Sequence, residues 1–345
     1  MRQRKIVLLF GGRSEEHEIS LLSATAVLSH LAREQFLVYP VGITKEGKLY
    51  SYSGPFDKIK TGEWEIDTSH LSPVLFGYKT VSIMGMPPFC PDVIFPVLHG
   101  GCGEDGRLQG FFEAFALPFV GCGSLCSALC MHKHLAKLKF LEAGIPTAKW
   151  VCIHKRELSY PKVLEEKVFD TLKTEALFIK PATGGSSIGA APLYAKHQLL
   201  PLLREAFRFG DEALVEERIL GKECEVGILF DSEMTVSRPA SISTHRDFYD
   251  FNAKYKEKNT RLVLPADIPA DVAKAMQDYA KKAYIALGCR HLARFDFFFS
   301  EDGRILLSEV NTLPGMTERS LFPKMMADQG IPFPLLLERL VRAAV

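Results

Sequence analysis

Arg294-Phe295-Asp296-Phe297-Phe298-Phe299-Ser300-Glu301-Asp302-Gly303-Arg304-Ile305-Leu306-Leu307-Ser308-Glu309-Val310-Asn311 reads as a β-hairpin turning at Asp302-Gly303. Asp-Gly between apolar runs is a strong hairpin signal, because a two-residue turn needs positive φ. With Asp302 and Gly303 as the loop, residue 301 pairs with 304. Counting outward then sets Asp296 opposite Glu309 and Arg294 opposite Asn311. Opposed residues share a face with Cβ atoms roughly 5 Å apart, where like charges are destabilising. Two carboxylates and a carboxamide on one face suit a hard divalent cation, since Mg²⁺ takes oxygen ligands together with substrate phosphates. A solvated sheet face, or a register shifted by a longer turn, is the alternative from these residues alone.

The chain has 345 residues, 47% hydrophobic and 24% charged, enough for two or three domains with a large core. A formal net charge of +1 argues against a nucleic-acid or membrane-surface binder. No stretch approaches the roughly 20 apolar residues of a membrane span. Met1 to Lys5 followed by Ile6 to Phe10 starts like a signal peptide, but the apolar run ends at Gly11-Gly12 and fits a first strand better. The eight cysteines form no CxxC pair and no zinc-site spacing. Cys122, Cys126 and Cys130 recur every four residues, one stripe of small apolar side chains on a helix. Buried free thiols and a cytoplasmic location are expected.

Ile6 to Phe10, Gly-Gly and a helical stretch form a βα unit, with Ser14 able to cap the helix and Glu15 and Glu16 suited to its first turn. Val38 to Ile43 and Val93 to Leu98 read as further buried strands with a polar Gly/Pro-rich stretch between them. Strands alternating with helices imply an N-terminal parallel sheet. A helix is expected over Ser124 to Ala143, ending at Gly144. These features divide the chain into an N-terminal α/β domain (1–122), a central α+β lobe (123–220) and a C-terminal lobe (221–345).

Three loops carry chemistry. Thr183 to Gly189, with three glycines and two serines, follows the strand ending in Lys180-Pro181 and can offer backbone N–H groups to an anion. It is neither a P-loop nor a dinucleotide fingerprint. His99 to Gly110 lies beyond the end of the Val93–Leu98 strand, where ligands of open α/β sheets bind. Arg246 to Arg261 carries Lys254-Tyr255-Lys256-Glu257-Lys258, either a solvated loop or a lid bringing Lys254 to a phosphate. With Lys133 and Lys180, these parts outline a nucleotide-phosphate site without a P-loop, the layout of ATP-grasp enzymes.

Along nearly its whole length the chain resembles the D-alanine–D-alanine ligase family. The resemblance rests on His99-Gly100 with Gly103-Glu104-Asp105-Gly106 and Gln109-Gly110, and on Leu287-Gly288, Arg294-Phe295-Asp296, Glu309-Val310-Asn311 and Pro314-Gly315-Met316-Thr317. Lys180-Pro181 with Gly185-Ser186-Ser187-Ile188-Gly189, and Gly11-Gly12 with Glu16-His17-Glu18-Ile19-Ser20, match as well. His132 and His134 around Lys133, and Cys102 in the first signature, depart from the pattern.

The resemblance implies a three-domain ATP-grasp fold and ATP-dependent ligation of two D-alanines through a D-alanyl phosphate, for peptidoglycan precursors. Asp296, Glu309 and Asn311 would hold two Mg²⁺, with Mn²⁺ able to substitute. Lys133 and Lys180 would contact the α- and β-phosphates and Lys254 the γ-phosphate. The adenine would lie beside Val215-Glu216-Glu217, with Glu223 (in competition with Glu225) on the ribose. Arg294 and the Gly315 N–H would stabilise the acyl phosphate and oxyanion, and His99 belongs to the substrate site. Glu18 would bind the first substrate's ammonium and complete a Glu18–Ser186–Tyr255 triad, and Ser320 and Leu321 would grip the second substrate's carboxylate. Tyr255 favours an amine nucleophile over D-lactate. D-alanine–D-serine or D-alanine–D-lactate ligation is the alternative, and a homodimer is implied.

Overall fold

The computed structural model describes residues 2–32, 34–243 and 261–345, with Ser243 and Arg261 described by backbone alone. The first sheet comprises β1 (Arg4–Gly11), β2 (Phe36–Ile43), β3 (Leu49–Tyr52), β4 (Leu71–Gly77), β5 (Thr80–Ile83) and β6 (Val93–Pro96), in the order β5-β4-β3-β2-β1-β6. β1 runs parallel to both β2 and β6, and Ile6 to Phe10 are buried on both faces, as a continuous apolar run requires. The expected parallel pairing holds for β1, β2 and β6, and β3, β4 and β5 extend the sheet antiparallel. Thr44 to Lys48 close a tight turn after β2, too short for the crossover that a parallel neighbour needs. The half-buried antiparallel strands carry mixed residues, so no long apolar run announced them.

Helix α1 (His17–His30) covers this sheet, and α2 (Phe56–Thr61) and α3 (Arg107–Ala114) complete the domain. Helices α4 (Ser124–Met131) and α5 (Lys133–Glu142) replace the single expected helix. The break falls at His132, whose φ −93°, ψ 92° is extended, and makes Lys133 the first residue of α5.

The second sheet contains β7 (Trp150–His154), β8 (Leu177–Pro181), β9 (Ala191–Leu193) and β10 (Glu212–Glu217) in the antiparallel order β7-β10-β8-β9, with α6 (Pro161–Leu172) and α7 (Leu199–Ala206) supplying its core. The third contains β11 (Gly221–Phe230), β12 (Met234–Val236), β13 (Ala240–Ser243), β14 (Arg261–Val263), β15 (Leu292–Ser300) and β16 (Ile305–Asn311), in the order β14-β13-β11-β15-β16 with β12 on β11. Helix α8 (Ala270–Ala286) packs on this sheet, and α9 (Leu321–Asp328) and α10 (Phe333–Ala343) close the chain.

Cys126 and Cys130 of α4 and Ala136 and Phe140 of α5 share a core with Phe295, Phe297 and Leu307 of the third sheet, while His134 of α5 meets Trp150 of the second. The terminal helices place Met325, Leu336 and Leu340 in a common core with Ile6, Leu8 and Phe10 and with Leu229 and Leu292. The first and third sheets are therefore joined by buried apolar surface, and the second sheet faces them across a cleft.

Candidate active site

The hairpin β15–β16 supplies one wall. Its loop has three residues, Glu301 to Gly303, not two: Ser300 pairs with Arg304 through its N–H to the Arg304 carbonyl (3.0 Å), and Gly303 sits at φ 83°. A type I turn closed by a left-handed glycine has this form. Phe299, Phe298 and Phe297 then oppose Ile305, Leu306 and Leu307, one residue out of the expected register. A bulge at Ser308 restores it, and Asp296 opposes Glu309 while Arg294 opposes Asn311. The expected facing pairs hold because two departures cancel.

β11 extends the pattern. Glu225 opposes Asp296 on its other side, so Glu225, Asp296 and Glu309 form a row of three carboxylates across three strands. Arg294, one row along, hydrogen-bonds Asp296 twice (2.8 and 2.7 Å) and forms an ion pair with Glu225, Nε to Oε2, at 2.9 Å. Burial disfavours its charge, but Asp296, Glu225 and Glu309 outweigh that and raise its pKa well above the usual value. One guanidinium against three carboxylates leaves this face negative. The donors are carboxylate and carboxamide oxygens, the set a hard divalent cation takes, so Asp296, Glu309 and Asn311 fit one. The Asn311 side-chain carbonyl also accepts from the Leu313 N–H (3.0 Å), which fixes its orientation.

The opposite wall belongs to the second sheet. Lys180 at the end of β8 and Glu216 on β10 stand diagonal to one another and form an ion pair. Lys137, buried in α5, reaches the same carboxylate at 2.8 Å and also bonds the Thr147 hydroxyl and the Ala148 carbonyl. Burial would raise the Glu216 carboxyl, yet Lys137 and Lys180 together hold it down at about 2. Lys137 escaped the sequence reading, although its i+4 spacing from Lys133 puts both on one helix face. Lys133 is anchored through its N–H to the Ala182 carbonyl (2.8 Å), and its ammonium bonds the Gly184 carbonyl. Glu217 accepts from Arg304, just past the hairpin loop (3.0 and 3.2 Å), and from the Lys149 N–H (2.9 Å).

The glycine/serine loop contacts the first domain, but not through the residue expected. Ser186 donates its hydroxyl to Glu16, not Glu18, at 2.7 Å. Glu16 occupies the N-cap position of α1, and its carboxylate lies so close to Gly100 that a Cβ there would come within 2.5 Å of Oε2. Glu18, two residues on and roughly 200° around the helix, is exposed and paired with Lys45 at 2.5 Å, and that hydrogen bond lowers its pKa. Glu18 lines an adjoining hollow instead of the cavity. The expected Glu18–Ser186 contact is thus corrected to Glu16–Ser186. Lys254 and Tyr255 lie outside the described residues.

A cavity of about 740 Å³ joins these walls. The hairpin contributes Arg294, Asp296, Glu309 and Asn311, and the second sheet and its loop contribute Lys180, Ser186, Glu216 and Glu217. Lys133, Glu223, Glu16 and His99 also line it. His99 is buried, with Nε2 2.9 Å from the Ser23 hydroxyl. Gly315, Ser320 and Leu321 close the far end, where Ser320 occupies the N-cap position of α9 and hydrogen-bonds Thr317 (Oγ to Oγ1, 2.8 Å). A Cβ at Gly315 would lie 2.9 Å from the Ser320 hydroxyl, so the turn accepts no side chain without moving that serine. The arrangement can surround an anion with lysines and backbone dipoles while its charge meets a cation on the carboxylate row.

Known proteins resemble this chain along its whole length. The family models for the D-ala D-ala ligase N-terminus and C-terminus match residues 5–122 and 140–342. The D-alanine–D-alanine ligase of Acetivibrio thermocellus is 38% identical over 365 residues, spanning 99% of this chain and 96% of that protein. Among solved structures, the VanG D-Ala:D-Ser ligase from Enterococcus faecalis aligns with a TM-score of 0.91 at 37% identity over 100% of both chains. The D-alanine-D-alanine ligase from Coxiella burnetii aligns with a TM-score of 0.86 at 30% identity, covering 100% of this chain and 94% of that one.

Proposed function

Because the chain belongs to the D-alanine–D-alanine ligase family, we propose that its cleft joins two D-alanine molecules at the expense of ATP, the carboxylate row and Arg294 forming the reacting centre. ATP enters with its adenine beside Val215 to Glu217 and its phosphates toward Lys133, Lys180 and the glycine/serine loop. Glu223 takes the ribose, since Glu225 is committed to Arg294. The first D-alanine's carboxylate attacks the γ-phosphorus, giving D-alanyl phosphate and ADP. The second D-alanine's amine then attacks the acyl carbon, and phosphate leaves from the tetrahedral intermediate. Arg294 and the Gly315 N–H oppose the charge that develops on oxygen in both steps.

Asp296, Glu309 and Asn311 would hold the divalent cations, two Mg²⁺ with Mn²⁺ as a substitute. Such ions, when bound, neutralise phosphate charge during phosphoryl transfer. Glu16 receives the first substrate's ammonium and His99 lines the same end. Ser320 and Leu321, at the N-terminus of α9, receive the second substrate's carboxylate, an anion suited to that end of a helix. Lys254 and Tyr255 act from a lid over the site. A cytoplasmic homodimer completes the proposal. No described helix is long and apolar enough to cross a membrane.

The observation that carries this function is the row Glu225–Asp296–Glu309 with Arg294 one row along, facing Lys133 and Lys180 across one cavity. The test is ATP-dependent phosphate release with D-alanine as sole amino acid, with product identification by mass spectrometry. D-alanyl-D-alanine and stoichiometric phosphate are expected, and no release with D-alanine alone would refute it. The likeness to a D-Ala:D-Ser ligase makes D-serine the competitor to add, with D-lactate beside it. A mixed dipeptide or depsipeptide outcompeting D-alanyl-D-alanine would move the assignment to that second substrate.

Glu16 and Glu18 separate by mutation. Glu16→Ala should raise the KM for the first D-alanine by about tenfold to a hundredfold, the range for losing a bond to a charged group. Glu18→Ala, which removes only an exposed ion pair, should leave KM and kcat within about twofold. Initial-rate kinetics at saturating ATP compare the two.

A further inference from the structure

Behind Lys133 lies a second cluster that the ligase chemistry does not use. Cys126 and Cys130 lie on α4, Cys122 just precedes it, and Cys289 comes from the segment between α8 and β15. All four are buried, between 1% and 8% exposed. The Sγ atoms of Cys122, Cys126 and Cys289 lie within 4.8 Å of one another. Cys126 is 3.6 Å from Cys289 and 3.9 Å from Cys130, sulfur to sulfur. The helical stripe alone explains three small apolar side chains, but packing makes no demand that sulfurs from two segments converge.

Zn–S bonds of about 2.3 Å in a tetrahedron set the sulfur–sulfur edge at about 3.8 Å, which those two separations bracket. Cys122 Sγ accepts the Arg290 backbone N–H at 3.4 Å, the outer contact that supports a metal-bound thiolate. Tyr284 shares this core, is 5% exposed, and its hydroxyl has no hydrogen-bond partner among the described residues. Cys130 also lines the nucleotide cavity, which gives an ion a way in.

We propose that Cys122, Cys126 and Cys289, whose sulfurs already converge, bind Zn²⁺ as thiolates, with Cys130, 3.9 Å from Cys126, closing on the ion as the fourth ligand. Each thiol gives up its proton to solvent on binding, and no electrons change hands. With all four positions filled by protein, the ion is structural. It pins α4 to the segment entering β15, so that Lys133 at one end and Arg294 and Asp296 at the other keep a fixed separation.

The test starts with wild-type protein expressed in zinc-replete medium, passed through excess Mg²⁺ and analysed by inductively coupled plasma mass spectrometry. About one zinc per chain is expected for a closed site. Reconstitution with Co²⁺ alone should give thiolate-to-metal charge transfer and the ligand-field bands of a tetrahedral thiolate site. Glu309→Gln should retain the zinc, whereas Cys126→Ser and Cys289→Ser should lose most of it. Should those variants fail to fold, the wild-type metal content and cobalt spectrum still decide. Metal-free wild-type protein whose eight cysteines all react as free thiols in denaturant would overturn the proposal. So would a Cys126–Cys289 disulfide on peptide mapping, or cobalt spectra lacking the thiolate bands.

Discussion

Arg294→Met should lower turnover by about a hundredfold to a thousandfold, the scale of losing one donor to a developing oxyanion. The physical basis is the position of the guanidinium, hydrogen-bonded to Asp296, ion-paired with Glu225 and raised in pKa by Glu309 as well. Its removal leaves three opposed carboxylates without their shared cation. Breaking a buried ion pair from one side costs roughly 3–5 kcal/mol, so thermal stability should fall too. Arg294→Lys separates the two effects. A lysine restores charge but cannot make the paired bonds to Asp296 while holding its ion pair with Glu225. It should recover most of the stability and little of the turnover. Phosphate-release kinetics and thermal melts on the same preparations check this. A folded Arg294→Met enzyme within tenfold of wild-type kcat would remove Arg294 from the reacting centre.

Glu309→Gln makes the opposite demand on stability. The substitution removes one of two carboxylates facing each other across β15 and β16. Relief of like-charge opposition is worth about 0.2–1 kcal/mol, so the melting temperature should hold or rise. Turnover should fall by about a hundredfold or more, since a bound cation supplies several kcal/mol of charge stabilisation. Raising Mg²⁺ should recover part of the loss where weakened binding is its cause. Unchanged kcat at saturating Mg²⁺ would contradict the assignment of Glu309 as a metal ligand, whatever the stability does.

The hairpin shows how much of this site was legible in the sequence. Asp296 faces Glu309 as counting from Asp302-Gly303 suggests, yet the loop has three residues and Ser308 forms a bulge. Core packing explains the agreement: Phe295 and Phe297 are buried with Leu307 and Val310, and that apolar set fixes the register of the face behind it. The third carboxylate of the row was not legible, because strand pairing between β11 and β15 spans a long sequence separation that no local pattern encodes.

Glu16 and Glu18 show the reverse. Both belong to the same motif, and only the phase of α1 decides which points at Ser186. That phase depends on where the helix starts, and helix ends are poorly marked in sequence. Ser14, the expected cap, instead donates its hydroxyl to the His99 carbonyl, and Glu16 takes the capping position. Likewise the cysteine stripe predicted burial correctly but not its neighbours, which come from the third sheet.

The most direct measurement of the central claim, that this face drives phosphoryl transfer to the D-alanine carboxylate, is isotope transfer. With D-alanine labelled by ¹⁸O in both carboxyl oxygens, ATP and Mg²⁺, the released phosphate is analysed by mass spectrometry. An acyl phosphate requires that each phosphate leave with one ¹⁸O, the bridging atom donated by the carboxylate. Phosphate free of ¹⁸O, with the label retained in amino acid and dipeptide, would contradict the account.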